Sequence, residues 1–506
     1  MSGADPAALL APPEADEATV TTSTPAGSAA HNEAIATGVM WNGALRWLSQ
    51  VLSWSATIVI ARRLSPGDYG MAGTATVLVG LLALVTEGGI GRAVVMRRDR
   101  DDVIVRQAHG AGITAGFGMA LVMLLAAYPI SRFYDEPRVM PLIAALSIAL
   151  VFSGFNAIPL AVLQQRLEYR RLAAVEFVKA IVQAATVLAG ALAGLRYWSL
   201  ALGLIAGYVA SVLMARRYIT VQADRPTRAV LGPTVSYARE LVVGSFAWYL
   251  YSNADFAVVG RVAGLTALGY YQFAWNVAQL PGEKLANVLQ SVVGPFFGAI
   301  GDDRKMLKHY FLVLSELLVS IMLPVLCGFA LVSSIAVPMI FGAKWLPSVP
   351  LMQVLVLCSA VGSVSLLSQH VLSATGQAAV NTRLNLGALL VLPLGFYLAA
   401  RFYGPFAVAM VWLVAQPVLM GVPLARLKHT VGLSTTTYLL SLRAPVISSL
   451  VMSVAVLALA RSMVNVVPIV QLLALSCLGA VVYIGVFMAF FRDRVDAIVM
   501  LWKSRA

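Results

Sequence analysis

Stretches of about twenty apolar residues recur almost without pause from residue 38 to residue 491. A hydrocarbon core of about 30 Å is crossed by roughly twenty residues of α-helix. Lipid offers backbone groups no partners, so only helices or closed barrels can span it. The runs lie near 38–61, 69–91, 108–130, 139–163, 175–195, 197–215, 240–261, 267–297, 310–332, 349–373, 384–401, 405–425, 442–461 and 467–491. The expected fold is therefore an all-α polytopic membrane protein with about 14 transmembrane helices. The eighth run is too long for one straight span, and Pro281-Gly282 is the natural place for a kink.

Composition agrees with that class. Hydrophobic residues make up 59% of the chain and charged residues 12%, with a mean hydropathy of +0.82, well outside soluble usage. The net charge of +13 does not indicate a nucleic-acid partner, because the basic residues are spread between apolar runs. They follow membrane orientation instead: with the N-terminus inside, alternate loops and the C-terminal tail hold 24 Lys and Arg, the opposite loops 9, and Arg46, Lys179 and Lys284 fall within spans. Both termini are thus expected in the cytoplasm. Residues 1–37 contain no Lys or Arg and are rich in Ala, Pro, Thr and acids, which suggests a disordered cytoplasmic tail and no secretory signal.

Chemistry is scarce in this chain. Cys327, Cys358 and Cys477 sit apart in apolar runs and read as inert core residues. No Ser/His/Asp set, nucleotide-binding loop or metal-ligand cluster stands out, so the expectation is a protein that is not an enzyme and needs no cofactor. His109 and His370 read as packed or solvated side chains.

An internal repeat gives the organisation. A shift of 199 residues brings Ser53, Val59, Arg62 and Gly70 onto Ser252, Val258, Arg261 and Gly269. In both copies an apolar helix ends in Arg, a turn follows, and a Gly-bearing apolar helix resumes. Ser65-Pro66-Gly67-Asp68 also makes a good helix start, with Ser as N-cap and an acid three residues on. An offset of six spans keeps both copies in one orientation, which predicts two pseudo-symmetric six-helix lobes with a path between them. The divisions are a tail at 1–37, an N-lobe at 38–217, a cytoplasmic linker at 218–239, a C-lobe at 240–428, and two C-terminal spans with a tail at 429–506.

The segment IARRLSPGDYG at 60–70 and the segment NADFAVVGRVAGLTALGYYQFAWNVAQLP at 253–281 resemble the polysaccharide transporter family, the Wzx-type flippases of the multidrug/oligosaccharidyl-lipid/polysaccharide exporter superfamily. Asp255, Val259-Gly260-Arg261 and Leu268-Gly269-Tyr270-Tyr271 carry most of the likeness. The resemblance implies a bacterial cytoplasmic-membrane protein that moves undecaprenyl-diphosphate-linked oligosaccharide between leaflets by alternating access. It would serve surface polysaccharide synthesis, whether O-antigen, capsule or exopolysaccharide. Its partners would be that lipid-linked oligosaccharide, membrane lipids and the polymerase or chain-length machinery. The long acidic tail departs from the family core.

Polar side chains inside the spans are the candidate contacts, since leaving each hydroxyl of a sugar unbonded in hydrocarbon costs about 4 to 8 kcal/mol. Arg46 either snorkels to the interface or meets the diphosphate. Lys179 either pairs locally with Glu176 or faces the path. Lys284, beyond the Pro281-Gly282 break, is a headgroup candidate, with Glu283 as its partner or a proton site. Gln50, Asn253, Gln272, Asn276 and Gln279 point to the path or join helices. Trp54, Tyr249, Tyr251 and Trp275 stack on sugars or belong to the interfacial belt. Asp255 is a gating or proton-coupling acid, or else a fixed partner of Arg261 or another base. Glu316 completes the gating and coupling set. Two other readings remain: an ion-coupled drug antiporter, which should gather its acids in one lobe, and a non-transporting subunit of a polysaccharide synthase.

Overall fold

The computed structural model describes residues 55, 57–91, 101–166, 168–227, 232, 242–300, 304–374, 377–463 and 465–490. Within them the side chains of 88, 90, 280–300, 363–366, 369–370, 373–374, 378–379 and 429–430 are outside the description. Among the described residues every assigned element is helical. Ten of these helices are long and apolar enough to cross a membrane, and all described residues belong to one unit, Val51–Ala506.

We number the helices in chain order. The end of α1 is described at 57–63. Helix α2 is Pro66–Ala83, continued by a π-helical stretch Leu84–Gly91; α3 is Asp102–Phe133, α4 Val139–Gln165, α5 Tyr169–Leu192 and α6 Tyr197–Tyr218. Helices α7 (242–263) and α8 (265–300) meet at Gly264, whose φ of 86° lies in the left-handed region that glycine adopts freely. Next come α9 (Arg304–Phe341), a 3-10 turn (Ala343–Ser348) and α10 (Val349–Ala374). Helices α11 (378–403) and α12 (405–431) meet at Gly404, also at positive φ. A short α13 (Thr435–Ser441) precedes α14 (Arg443–Ser462) and α15 (Pro468–Phe490).

The start of α2 forms as its sequence dictates. Ser65 Oγ accepts from the Asp68 amide at 3.1 Å, and Asp68 Oδ2 accepts from the Ser65 amide at 3.2 Å, with Pro66 at the first helical position. The break expected at Pro281-Gly282 is different: the helical assignment runs through both residues to Ile300, and the non-helical dihedrals fall at Gly264. A proline need not end a membrane helix when neighbours satisfy the freed carbonyl.

Two apolar clusters mark the lobes. One gathers Met71, Val79, Met123, Leu142, Leu146 and Tyr208 of α2, α3, α4 and α6. The larger gathers Phe256, Tyr271, Phe311, Met352, Phe396 and Trp412 of α7 to α12. Helices α14 and α15 pack on α9 through Met452, Val456 and Leu475 against Val332 and Ala336. The first part of the expected linker lies along the start of α3, where Arg106 pairs with Asp224 at 3.3 Å and Gln107 accepts from the Thr227 amide at 3.0 Å. The cysteines are not all core: Cys358 is buried, Cys327 half-buried and Cys477 exposed on α15. An exposed apolar residue on an outer membrane helix meets lipid and costs nothing there.

Candidate functional site

The lobes meet most closely through α2 and α8. A Cβ on Gly70 would overlap the Leu265 carbonyl oxygen and lie 2.8 Å from the Gly269 nitrogen. One on Gly269 would overlap the Pro66 carbonyl oxygen and lie 3.1 Å from the Gly70 nitrogen. Each residue pair here, 66 with 265 and 70 with 269, is separated by the repeat's 199 positions. The same holds three residues on, where a Cβ on Gly73 would overlap the Gln272 side chain. Repeat-equivalent residues can touch only near the axis relating the copies, so α2 and α8 cross on the pseudo-two-fold axis.

Around that crossing the two repeat arginines reach into opposite lobes. Arg62, at the end of α1, donates to the carbonyls of Ile340 (2.7 Å) and Met339 (2.6 Å) at the end of α9. Arg261, at the end of α7, donates to Asp135 Oδ2 at 2.5 Å, just past the end of α3, and lies 6.0 Å from the Phe133 ring. Helix α9 is the repeat counterpart of α3, so the contacts exchange between lobes. The turn after α9 adds Lys344, which donates to the Arg62 and Leu64 carbonyls at 2.8 and 2.6 Å. Fully buried Trp345 donates to the Ala61 carbonyl at 2.9 Å and stacks on Phe273 at 4.0 Å between centroids. The turn carrying Asp135 is braced by Arg138, whose bidentate hydrogen bonds hold the Glu136 carboxyl below its usual range. This end of the bundle is therefore clasped.

Asp255 is fully buried in α7. Its Oδ2 accepts from the Tyr271 hydroxyl at 2.8 Å and the Trp412 indole N–H at 2.7 Å, and its Oδ1 from the Phe256 amide at 2.9 Å. Of the partners weighed for it, Arg261 is engaged instead by Asp135. Trp275 and Tyr251 join this group, at 5.5 and 6.5 Å from Trp412 between ring centroids, so they build the C-lobe interior.

The amides divide in the same way. Gln279 accepts from Ser359 of α10 at 2.7 Å, Asn276 hydrogen-bonds Tyr69 of α2, and Asn253 donates to the Tyr249 carbonyl of its own helix at 2.9 Å. Buried Gln272 leaves its Oε1 without a partner at the axis. Tyr249 crosses the lobes, donating to the Val77 carbonyl at 2.9 Å. Glu316 is buried in α9, and His109 is packed in α3. Arg46, Gln50 and Trp54, and the side chains of Glu283, Lys284 and His370, lie outside the described residues.

Sequence reasoning passed over one acid. Glu87, in the π-helical stretch, is exposed at the end of the span Pro66–Glu87. Ser153 of α4 donates to its Oε1 at 2.8 Å. Lys179 places its ammonium 4.6 Å from the centre of the Tyr208 ring, and no ion pair joins it to Glu176 among the described residues. Glu87 is the lone acid in the run 69–91. A charge in that setting was the available signal.

The described residues form a helical membrane bundle whose two lobes are clasped at one end. Among solved structures the chain resembles the lipid II flippase MurJ in an inward closed conformation, with a TM-score of 0.74 and 14% identity over 90% of this chain and 100% of that one. An inward-facing multidrug resistance MATE family transporter gives a TM-score of 0.60 at 14% identity, covering 76% and 94%. The family described as polysaccharide biosynthesis protein matches residues 59–350, more than half of the chain, and the chain belongs to it. It is 24% identical over 424 residues to the lipopolysaccharide biosynthesis protein WzxC of Escherichia coli K12, covering 82% of this chain and 85% of that protein. It is 23% identical over 442 residues to the succinoglycan biosynthesis transport protein ExoT of Rhizobium meliloti, covering 84% and 87%.

Proposed function

We propose that this protein is a flippase that carries undecaprenyl-diphosphate-linked oligosaccharide across the bacterial cytoplasmic membrane, and not an enzyme. The observation that carries the reading is the exchanged pair of arginine contacts on the pseudo-two-fold axis in a member of a polysaccharide biosynthesis family. Alternating access needs two lobes that can part at one end and meet at the other. Hydrogen bonds from Arg62 to carbonyls and an exposed Arg261–Asp135 pair suit that need, because water can replace them when the lobes separate. In this reading the clasped end faces outward, both termini are cytoplasmic, and the lobes span 38–217 and 240–428. Arg46, Lys179 and Lys284 meet the diphosphate, and the amides near the axis meet sugar. Polymerase and chain-length proteins take the product onward.

The tens of kcal/mol that a charged diphosphate and several hydroxyls would cost in hydrocarbon explain why such a carrier is needed. Deletion followed by analysis of lipid-linked sugars tests the proposal. The expected result is accumulation of cytoplasm-facing intermediates with loss of surface polymer. Persistence of the polymer without accumulation would refute it.

A further inference from the structure

The two C-terminal spans, α14 and α15, lie outside the two apolar clusters that mark the lobes, and neither the clasp nor the Asp255 interior uses them. They pack on α9, a helix of 38 residues that carries Pro324 near its middle. A proline has no N–H to give, so the carbonyl four residues earlier, that of Ser320, loses its helical donor. In a membrane the freed carbonyl has to find a partner within the protein. Tyr483 of α15 supplies it: its hydroxyl donates to the Ser320 carbonyl at 2.7 Å.

The same pair also grips α9 beyond the proline. Cys327, Leu331 and Ile335 recur at helical spacing along one stripe, with Val332 and Ala336 beside it, and they share an apolar cluster with Met452 and Val456 of α14 and Leu475 of α15. Tyr483 belongs to this cluster too, and its ring stacks on Phe487 at 5.8 Å between centroids. A hydrogen bond thus holds α9 before Pro324, and apolar contact holds the turns after it. Sharp bends in helices fall at prolines, so this grip fixes the angle of α9 at its weakest turn.

That angle matters at the far end of the helix. Met339 and Ile340, whose carbonyls accept from Arg62, lie beyond Pro324 on the same helix. The separation is about 24 Å along the axis by the rise per residue, and a bend of about 10° at the proline would carry them about 4 Å sideways. Such a shift exceeds the length of a hydrogen bond and would part Arg62 from both carbonyls.

We propose that Tyr483 is a positioning residue for the clasp: its hydroxyl pins the Pro324 turn of α9, and the C-terminal pair thereby sets where α9 presents the Met339 and Ile340 carbonyls to Arg62. The inference goes beyond the flippase reading, since it does not depend on the substrate carried. Loss of the hydroxyl leaves the Ser320 carbonyl without its donor, the turn relaxes, and the clasp loosens. An N–H restored at position 324 makes the hydroxyl unnecessary.

The test uses the full-length protein in nanodiscs, cysteine-free apart from Ala61→Cys at the clasp, where Trp345 now covers the backbone. The rate of labelling by a water-soluble thiol reagent reports opening. Tyr483→Phe, which removes only the hydroxyl, should raise that rate about threefold or more, the scale of one interhelical hydrogen bond in a membrane protein. Pro324→Ala supplies the missing N–H, and adding Tyr483→Phe to it should change labelling little. The melting temperature is recorded alongside. A merely structural hydroxyl would lower the melting temperature of Tyr483→Phe and leave labelling at position 61 unchanged, and that result overturns the proposal. An equal rise from Tyr483→Phe with and without Pro324→Ala overturns it as well. Transport of lipid-linked sugar bears on the flippase reading alone: its absence in the unaltered protein removes that reading, whereas labelling decides the hinge.

Discussion

Gly70 and Gly269 face each other across the pseudo-two-fold axis, each lying against the backbone of the other's helix. They are also the pair aligned by the 199-residue shift. A side chain at either position would strike a carbonyl oxygen and hold the lobes apart where they now meet.

Gly70→Ala and Gly269→Ala should each destabilise the clasped arrangement by about 1 to 3 kcal/mol, the usual cost of forcing atoms into a filled contact. Gly118 in α3 has open space around its Cβ direction and serves as control, where Ala should be neutral or slightly stabilising. Thiol accessibility near Arg62 in detergent-solubilised protein measures the difference. Equal accessibility in all three variants would contradict the crossing.

The two arginines should differ in weight. Arg62→Ala removes two hydrogen bonds from a charged group to α9 carbonyls, about 1.5 to 3 kcal/mol each at most. Arg261→Ala removes one exposed ion pair, worth about 0.2 to 1 kcal/mol and weakened by salt. Clasp opening should therefore be greater for Arg62→Ala, and only the Arg261 effect should shrink at high ionic strength. Opening is read as the accessibility of a cysteine placed at Ala61, which Trp345 now covers.

Removing Asp255 should be costly to the C-lobe. Asp255→Ala leaves the Trp412 N–H and the Tyr271 hydroxyl buried without their acceptor, a loss of about 1 to 3 kcal/mol for each. Asp255→Asn keeps an acceptor oxygen and should lose less. Thermal unfolding followed by tryptophan fluorescence separates them, and equal melting temperatures for both variants would remove this role.

Much of this was legible in the chain. The capping box at Ser65 and Asp68 uses local, residue-specific chemistry and was readable. The repeat was readable because equivalent helices keep equivalent punctuation at Arg62 and Arg261. The partners of those arginines were not readable. Carbonyls of Met339 and Ile340 exist at every residue and leave no mark of type, and Asp135 lies 126 residues from Arg261. Lys179 illustrates another limit: Glu176 at i−3 is the expected partner by spacing, yet the ring of Tyr208 on the next helix holds the ammonium.

The most direct measurement locks the clasp in a reconstituted, cysteine-free background carrying Asp135→Cys and Arg261→Cys. A reducible bifunctional thiol reagent joins the two positions, and transfer of lipid-linked oligosaccharide across the proteoliposome membrane is followed before and after reduction. Alternating access predicts that transport stops when the link forms and returns when it is reduced. Undiminished transport through the linked protein would contradict the account.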